Sequence, residues 1–474
     1  MCRSRWRRPG LILSLPAEVV VIGGGNAALC AAITAREAGA DVTVLEAAPR
    51  HMRGGNSRHT RNLRVMHREP LAPLVESYVS AEYLDDLLRV TAGRTDSKLA
   101  TLVIERSEEA FEFLSRNGVR FQDALSGTLN LARTNAFFLG GGKALVNALY
   151  ARAEALGIAV CYEASVEHLD IRDGRVAEVH WRSGEAAKVA YPSAVIAASG
   201  GFQANLEWLA EAWGPAAANF TIRGTPFATG TVLRDLLNQG VASVGDPAQC
   251  HAVAVDARAP RFDGGIVTRL DAIPYSLTVN RDGERFYDEG EDIWPKRYAI
   301  WGRLIAQQPG QVAYAICDTP ATKLFMPSCY PPITAGTIAE LAAALGLPDR
   351  SLERTVAAFN DACPESGFDP SQLDGCATTG LSPPKSNWAR PIMEPPFVAY
   401  PLRPGITFTY LGVQVDAQAR VQTADGAPIA NLYAAGEIMA GSILGQGYLA
   451  GFGMAIGSVF GMIAGREAAG HDAA

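Results

Sequence analysis

No two of the eight cysteines in this 474-residue chain stand closer than twelve positions. That spacing excludes zinc ribbons, cysteine-ligated iron–sulfur clusters and redox-active vicinal dithiols, and no metal site is expected. Scattered thiols in a chain of this length point to a reducing compartment, the cytoplasm. An excess of positive charge is also missing. The 42 Lys and Arg face 49 Asp and Glu for a net charge of −7, so no global field condenses on nucleic acid or anionic lipid. Charged residues are 19% against 48% hydrophobic, too few for a disordered chain, and the length predicts two to three domains. Gly (47) and Pro (28) are too scarce for a repetitive linker, so each glycine cluster carries local meaning.

Long apolar runs are equally scarce. The opening MCRSRWRRPGLILSLPAE is basic, then apolar for only five residues, with no cleavage site before a strand. Residues 1–17 are expected to be a disordered extension or an over-called start. Between Ile438 and Gly465 no charge occurs, which is long enough to cross a bilayer, yet eight glycines dilute the stretch. Gly453, Gly457, Gly461 and Gly465 recur every four residues, a small-residue face that lets a helix lie against another backbone. A buried helix beside a site is expected, not a membrane span.

What is present begins with a βαβ pattern. VVVI at 19–22 reads as a buried strand, GGGNAALCAAITAREAGA as a loop and a helix ending at Gly39, and DVTVLEAAP as a second strand. Gly23, Gly25 and Ala28 fit G-x-G-x-x-(G/A), with Asn26 and Ala27 inside the turn. Glu46 follows 23 positions after the first glycine. Gly23 makes the turn, Gly25 lets a pyrophosphate approach the helix N-terminus, and Ala28 permits close helix–strand packing. Glu46 is placed to accept hydrogen bonds from ribose hydroxyls.

Residues 51–65 lack a periodic apolar pattern and hold Arg53, Arg58, Arg61 and Arg64 around Gly54, Gly55, Asn56 and Ser57, so a loop is expected. Helical patterns fill 71–117. A strand pair joined by Asp173-Gly174 reads as a hairpin, with Val166 on its first strand. SAVIAASGGF is a strand running into Ser199, Gly200 and Gly201. From about 245 to 405 aromatics, prolines and charges mix, with helices expected at 337–347 and 349–362. The predicted class is α/β, a doubly wound Rossmann-like domain over 18–245 and 406–474 with an α+β capping domain inserted at 246–405. One dinucleotide fingerprint suffices for NAD, whereas FAD lies extended and needs distant segments. Gly54 to Ser57, Gly200 and Gly201, Glu437 after a strand, and a helix starting near Gly451 supply them, so non-covalent FAD is the expected cofactor. The positive end of that helix could stabilise an anionic reduced ring.

VVVIGGGNAA, Glu46, GGNS at 54–57, AASGGF at 197–202, VNRDGERFYDE at 279–289 and NLYAAGE at 431–437 resemble the fumarate reductase/succinate dehydrogenase flavoprotein family over nearly the whole chain. More narrowly, GGNSRHTRNLR, ARTNAFF, GGGKALVNA, DIWPKRYAIWGRL and RPGITFTYLG resemble FAD-dependent tricarballylate dehydrogenases. The resemblance implies an active site between the FAD domain and the cap. It also implies oxidation of tricarballylate to cis-aconitate, with electrons leaving to a separate membrane-associated iron–sulfur partner. The chain is then cytoplasmic and meets the inner membrane only through that partner.

Arg297 in WPKRYAIW matches the family's proton-transfer arginine; coupled to Glu291 or Asp292 it could relay a proton, or it only pairs with those acids. His251 resembles the family histidine that bonds a substrate carboxylate, against the alternative of a core histidine. Arg58, Arg61, Arg64, Arg269 and Arg403 are candidates for carboxylate forks, or are solvated surface residues. Two departures from dicarboxylate reductases stand out: Thr407-Phe408-Thr409-Tyr410-Leu411-Gly412 replaces a His-His-Thr-x-Gly-Gly segment, and Tyr448 replaces a carboxylate-clamping arginine. Thr409, Tyr410 and Tyr448 become candidates for holding a carboxylate, and either tyrosine for the base. Ser57 falls where covalent relatives carry a histidine, and His59 is out of register. The alternatives are a dehydrogenase of another polycarboxylate, a 3-ketosteroid or a corrin precursor, or a non-catalytic flavin-bound electron carrier. An arginine-lined pocket favours polycarboxylates and an apolar one steroids.

Overall fold

In the computed structural model, which describes residues 18–124, 131–291 and 298–470, the βαβ pattern folds as read. Strand β1 (Val19–Ile22) and strand β2 (Val42–Leu45) are parallel and buried at every position, as strands covered on both faces must be. Helix α1 (Asn26–Glu37) joins them and stops where Gly39 takes φ +106°. The sheet continues from β2 to Ala159–Cys161 on one side. On the other side of β1 lie Ala194–Ala197, Pro428–Ala434 and the antiparallel edge Arg420–Gln422. Strands from the two ends of the described chain thus flank Ala194–Ala197 in one sheet, and their carboxyl ends open on one crevice, where open α/β sheets bind ligands.

The Phe452–Gly470 helix packs along α1. A Cβ on Gly461 would stand 2.6 Å from the Ala27 carbonyl oxygen, and one on Gly465 would stand 2.4 Å from that of Ala31. The four-residue glycine period therefore reports a helix–helix contact closer than any side chain allows. No helix among the described residues is long and apolar enough to cross a membrane.

The hairpin Ala164–Arg172/Arg175–Ser183 turns at Asp173 (φ 50°) and Gly174 (φ 73°), the two left-handed residues of a type I′ turn. Of the expected 71–117 helices, three form: Ser80–Thr91, Ser97–Glu105 and Ser107–Arg116. The cap is a mixed sheet built around the 13-residue strand Phe397–Thr409. Cys250–Asp256, Ala313–Cys317 and Ile333–Ala335 pair with that strand antiparallel, and Thr221–Ile222 pairs with it parallel. The helices Ile338–Leu345 and Ser351–Ala362 lie over this sheet near their expected positions. The expected junction at 405/406 falls inside the long strand, whose last residues reach from the cap into the crevice. Residues 1–17 lie outside the described residues.

Candidate functional site

The turn after β1 leaves no room for side chains. Gly23 has φ +107°, and its Cβ would stand 2.4 Å from the Ala198 carbonyl oxygen. A Cβ on Gly24 would overlap the Tyr150 hydroxyl (2.1 Å) and a Glu46 carboxylate oxygen (2.2 Å). At the start of α1 the Asn26 N–H donates to Ser57 Oγ (2.9 Å), and the Asn26 amide donates to Ser458 Oγ (2.9 Å). Three distant segments are thereby pinned at one helix N-terminus. Glu46 at the end of β2 is buried and accepts from the N–H groups of Ala48 (2.8 Å) and Gly54 (3.3 Å). Burial pushes its carboxyl up, and those N–H groups pull it back.

From this turn a cleft with about 1530 Å³ of empty space, its open mouth included, runs between the two domains. Gly23, Gly25, Asn26, Ala27, Glu46, Gly55, Asn56, Ser57, Val166, Ser199, Gly200 and Glu437 all line it, as do Gly453, Met454 and Gly457 from the glycine-spaced helix. Ala28 is fully buried behind the turn, in its expected packing role. Gly54 (φ +103°) packs on Val146 and feeds its N–H to Glu46. Glu437 accepts from the Thr409 N–H (2.8 Å) and the Gln203 amide (3.2 Å), and burial pushes its carboxyl up to about 7. Gly201 stays outside the lining: a Cβ there would meet Thr409 Oγ1 at 2.1 Å and Glu437 Oε1 at 2.4 Å.

At the far end the cap supplies His251, whose ring stacks on that of Tyr448 with centroids 3.8 Å apart and planes 5° apart. Both line the cleft beside Phe408. Burial first, then the charges of Arg223 and Arg269, hold His251 well below the usual histidine range, so its ring is neutral. Arg223 is the one Arg or Lys among the described residues that line the cleft. It is buried, and its Nε donates to Thr407 Oγ1 (2.7 Å). His59 lines the same end and is bonded through Nε2 to Asp263 of the cap. Burial lowers the His59 pKa, and the Asp263 charge opposes that.

The other expected residues divide. Arg297 lies outside the described residues. Arg269 is paired to Asp271 (2.8 Å) and acts on His251 through its charge. Arg58 borders a different pocket, and Arg61 lies over the Phe137 ring at 5.8 Å, so neither lines the cleft. Arg403 bonds the carbonyls of Asn219 (3.4 Å) and Gly310 (3.3 Å), five residues along the strand from Phe408 and roughly 17 Å away at a strand's rise. The structure does not bring it to the cleft. Tyr410 is buried and donates its hydroxyl to the Gly447 carbonyl, and Thr409 braces Glu437. Gly451 (φ +81°) precedes the helix and packs against Arg64 and Asn135. Arg223, Gly24, Gln203 and Phe227 were not anticipated; the only signal for Arg223 was a Gly-Thr-Pro turn following a short β-rich run.

The family model for an FAD binding domain matches residues 18–453. The chain belongs to this FAD-binding family. An NADH:fumarate oxidoreductase of Klebsiella pneumoniae (strain 342) is 26% identical over 95% of this chain, which spans 47% of that relative's length. A 4-oxocyclohexanecarboxylate 2-dehydrogenase of Sinomonas cyclohexanicum is 28% identical over 96% of the chain and 93% of its own length. The open conformation of a flavocytochrome c3 fumarate reductase superposes with a TM-score of 0.75 at 24% identity, covering 96% of this chain and 78% of that one. The residues fit FAD: a Cβ at Gly23 or Gly24 would block the turn, a helix N-terminus and a buried acid stand at one end, and a long cleft continues to the cap. Glu46 would hold the ribose and the start of α1 the pyrophosphate, while Glu437 and the Phe452–Gly470 helix would flank the far part of the cofactor.

Proposed function

We propose that this flavoenzyme oxidises a CH–CH bond next to a carboxylate, and that its substrate is tricarballylate, converted to cis-aconitate. The observation that carries the reading is Arg223, a buried guanidinium at the cap end of the flavin cleft whose charge acts on both His59 and His251. A cation in that position attracts an anionic substrate, and a desolvated guanidinium forks onto a carboxylate. Neutral His251 can donate one ring N–H to a second carboxylate, its plane held by Tyr448. FAD, when bound, supplies the two-electron acceptor. Two relatives named above for fumarate and for a cyclohexane carboxylate also act on carboxylic acids.

The substrate must also lose a proton. Arg297 remains the proposed base, on the resemblance of its segment alone, with Tyr448 as the nearest alternative in the cleft. Electrons are proposed to leave to a separate iron–sulfur partner at the membrane face. The test is anaerobic: tricarballylate added to the FAD-loaded protein bleaches the flavin band. In R223Q with full FAD occupancy the concentration needed rises about a hundredfold, the effect of removing one partner from a buried charge-assisted contact. Absence of bleaching by any polycarboxylate in the wild type would overturn the substrate class.

A further inference from the structure

The loop from Arg53 to Thr60 has two faces. Gly55, Asn56, Ser57, His59 and Thr60 line the flavin cleft. Arg53 and Arg58 instead border a separate pocket of about 920 Å³ of empty space, open to solvent, together with Arg50, His51 and Lys143. The two cavities share no lining residue, and no carboxylate lines the second one among the described residues. Four permanent cations thus converge on this pocket, with Asp263, outside its lining, 3.7 Å from Arg58.

The contacts of Arg53 are with neutral groups. Nη1 donates to the Tyr162 hydroxyl (2.8 Å), Nη2 to the Asn147 amide oxygen (3.3 Å), and the guanidinium lies over the Tyr150 ring at 4.1 Å. Arg58 is the independent observation. Its side chain is only 10% exposed, its nearest carboxylate is Asp263 at 3.7 Å from Nη2, and its Nε and Nη1 are buried with no hydrogen-bond partner. Buried donors without acceptors are rare in native proteins and call for an ion or a water. A guanidinium fork with adjoining unsatisfied N–H groups is shaped for an oxyanion.

We propose that this pocket is a second anion site, which takes a small oxyanion carrying two or more negative charges, a phosphate or a polycarboxylate. It is distinct from the flavin cleft and lies one loop thickness away, on the residue that follows Ser57. Among the described residues, the Arg261, Arg281 and Arg403 group has no buried donor left without an acceptor.

The test uses the full-length, FAD-loaded protein and calorimetric titration at low ionic strength with inorganic pyrophosphate and, separately, citrate. One saturable site per chain is expected for at least one of them, weakening as salt screens the cations. R58Q should lower the affinity about tenfold or more. Because R58Q alters a packed loop, the double variant R50Q/K143Q, at two exposed positions, is the second arm and should do the same. R223Q, in the cleft, should leave the site unchanged. Binding of pyrophosphate alone identifies a phosphate site; citrate binding that survives R223Q identifies a polycarboxylate site. Citrate binding lost only in R223Q belongs to the flavin cleft, and with no pyrophosphate binding it overturns the proposal. So does an affinity for both anions that is indifferent to R58Q and to R50Q/K143Q.

Discussion

Glu437 couples the cofactor cleft to pH. Its carboxyl accepts from the Thr409 N–H and from Gln203, yet burial outweighs those bonds and raises its pKa to about 7. The unfolded chain releases this proton near pH 4.5, so between pH 4.5 and about 7 the folded state binds more protons than the unfolded one. Stability from this group is therefore fully present below pH 4.5 and is lost as pH rises through 7. The limit of the loss is about 3 kcal/mol, from a shift of roughly two and a half units. In FAD-stripped protein, E437Q should flatten that decline, and denaturant midpoints measured at pH 5 and pH 8 would converge. If the wild-type midpoints already coincide once other groups are matched, the carboxyl is ionised throughout.

At the scale of elements, the contact between α1 and the Phe452–Gly470 helix brings the amino-terminal and carboxyl-terminal parts of the FAD domain together. Gly461 faces Ala27, the residue that lines the cleft, with space for a hydrogen and nothing larger. G461A sets a Cβ 2.6 Å from the Ala27 carbonyl oxygen, so backbone must move apart. A loss of about 1–3 kcal/mol in unfolding free energy is expected, with weaker FAD retention, while G470A, where no atom lies within 4 Å, should be neutral. This contact was legible in sequence because a four-residue period is local information. The glycine turn, Glu46, the Asp173-Gly174 hairpin and the two cap helices were legible for the same reason. The cations of the substrate end were not. Arg403 sits in the long strand and Arg269 at an isolated bridge to Val255, both in sequence of the same texture as the segment before Arg223, and which of them meets the cleft depends on where Thr221–Ile222 and Cys250–Asp256 register on the long strand. That register is a tertiary fact. The tyrosines divided similarly: Tyr448 faces His251, whereas Tyr410 turns inward to hold Gly447.

For the whole molecule, the relation between cap and FAD domain decides whether the cleft is closed. Several contacts tie the 54–60 loop to the segments opposite. The Asn56 amide donates to the Thr407 carbonyl, and its oxygen accepts the Thr225 N–H (2.8 Å). His59 and Arg58 both meet Asp263, a partly exposed carboxylate from the segment ahead of Gly265. Gly265 lies so close to His59 that a Cβ would stand 2.8 Å from Nδ1, so ring and loop are in direct contact. Asp263 is thus the charged part of a clasp completed by the Asn56 hydrogen bonds and by van der Waals contact. D263N keeps the size of the side chain and removes its charge, leaving two cationic or polar partners with a neutral amide. Because the pair is partly solvated, the loss in global stability should be under about 1 kcal/mol. The larger effect belongs on opening: Gly55, Asn56 and Ser57 of the clasped loop line the cleft that would hold FAD, so the FAD dissociation rate should rise several-fold in D263N, followed as the recovery of flavin fluorescence on dilution. High salt should narrow the gap between wild type and variant by weakening the wild-type pair alone. Equal dissociation rates at low salt would mean that the Asn56 contacts and the packing of His59 on Gly265 hold the cap without help from charge.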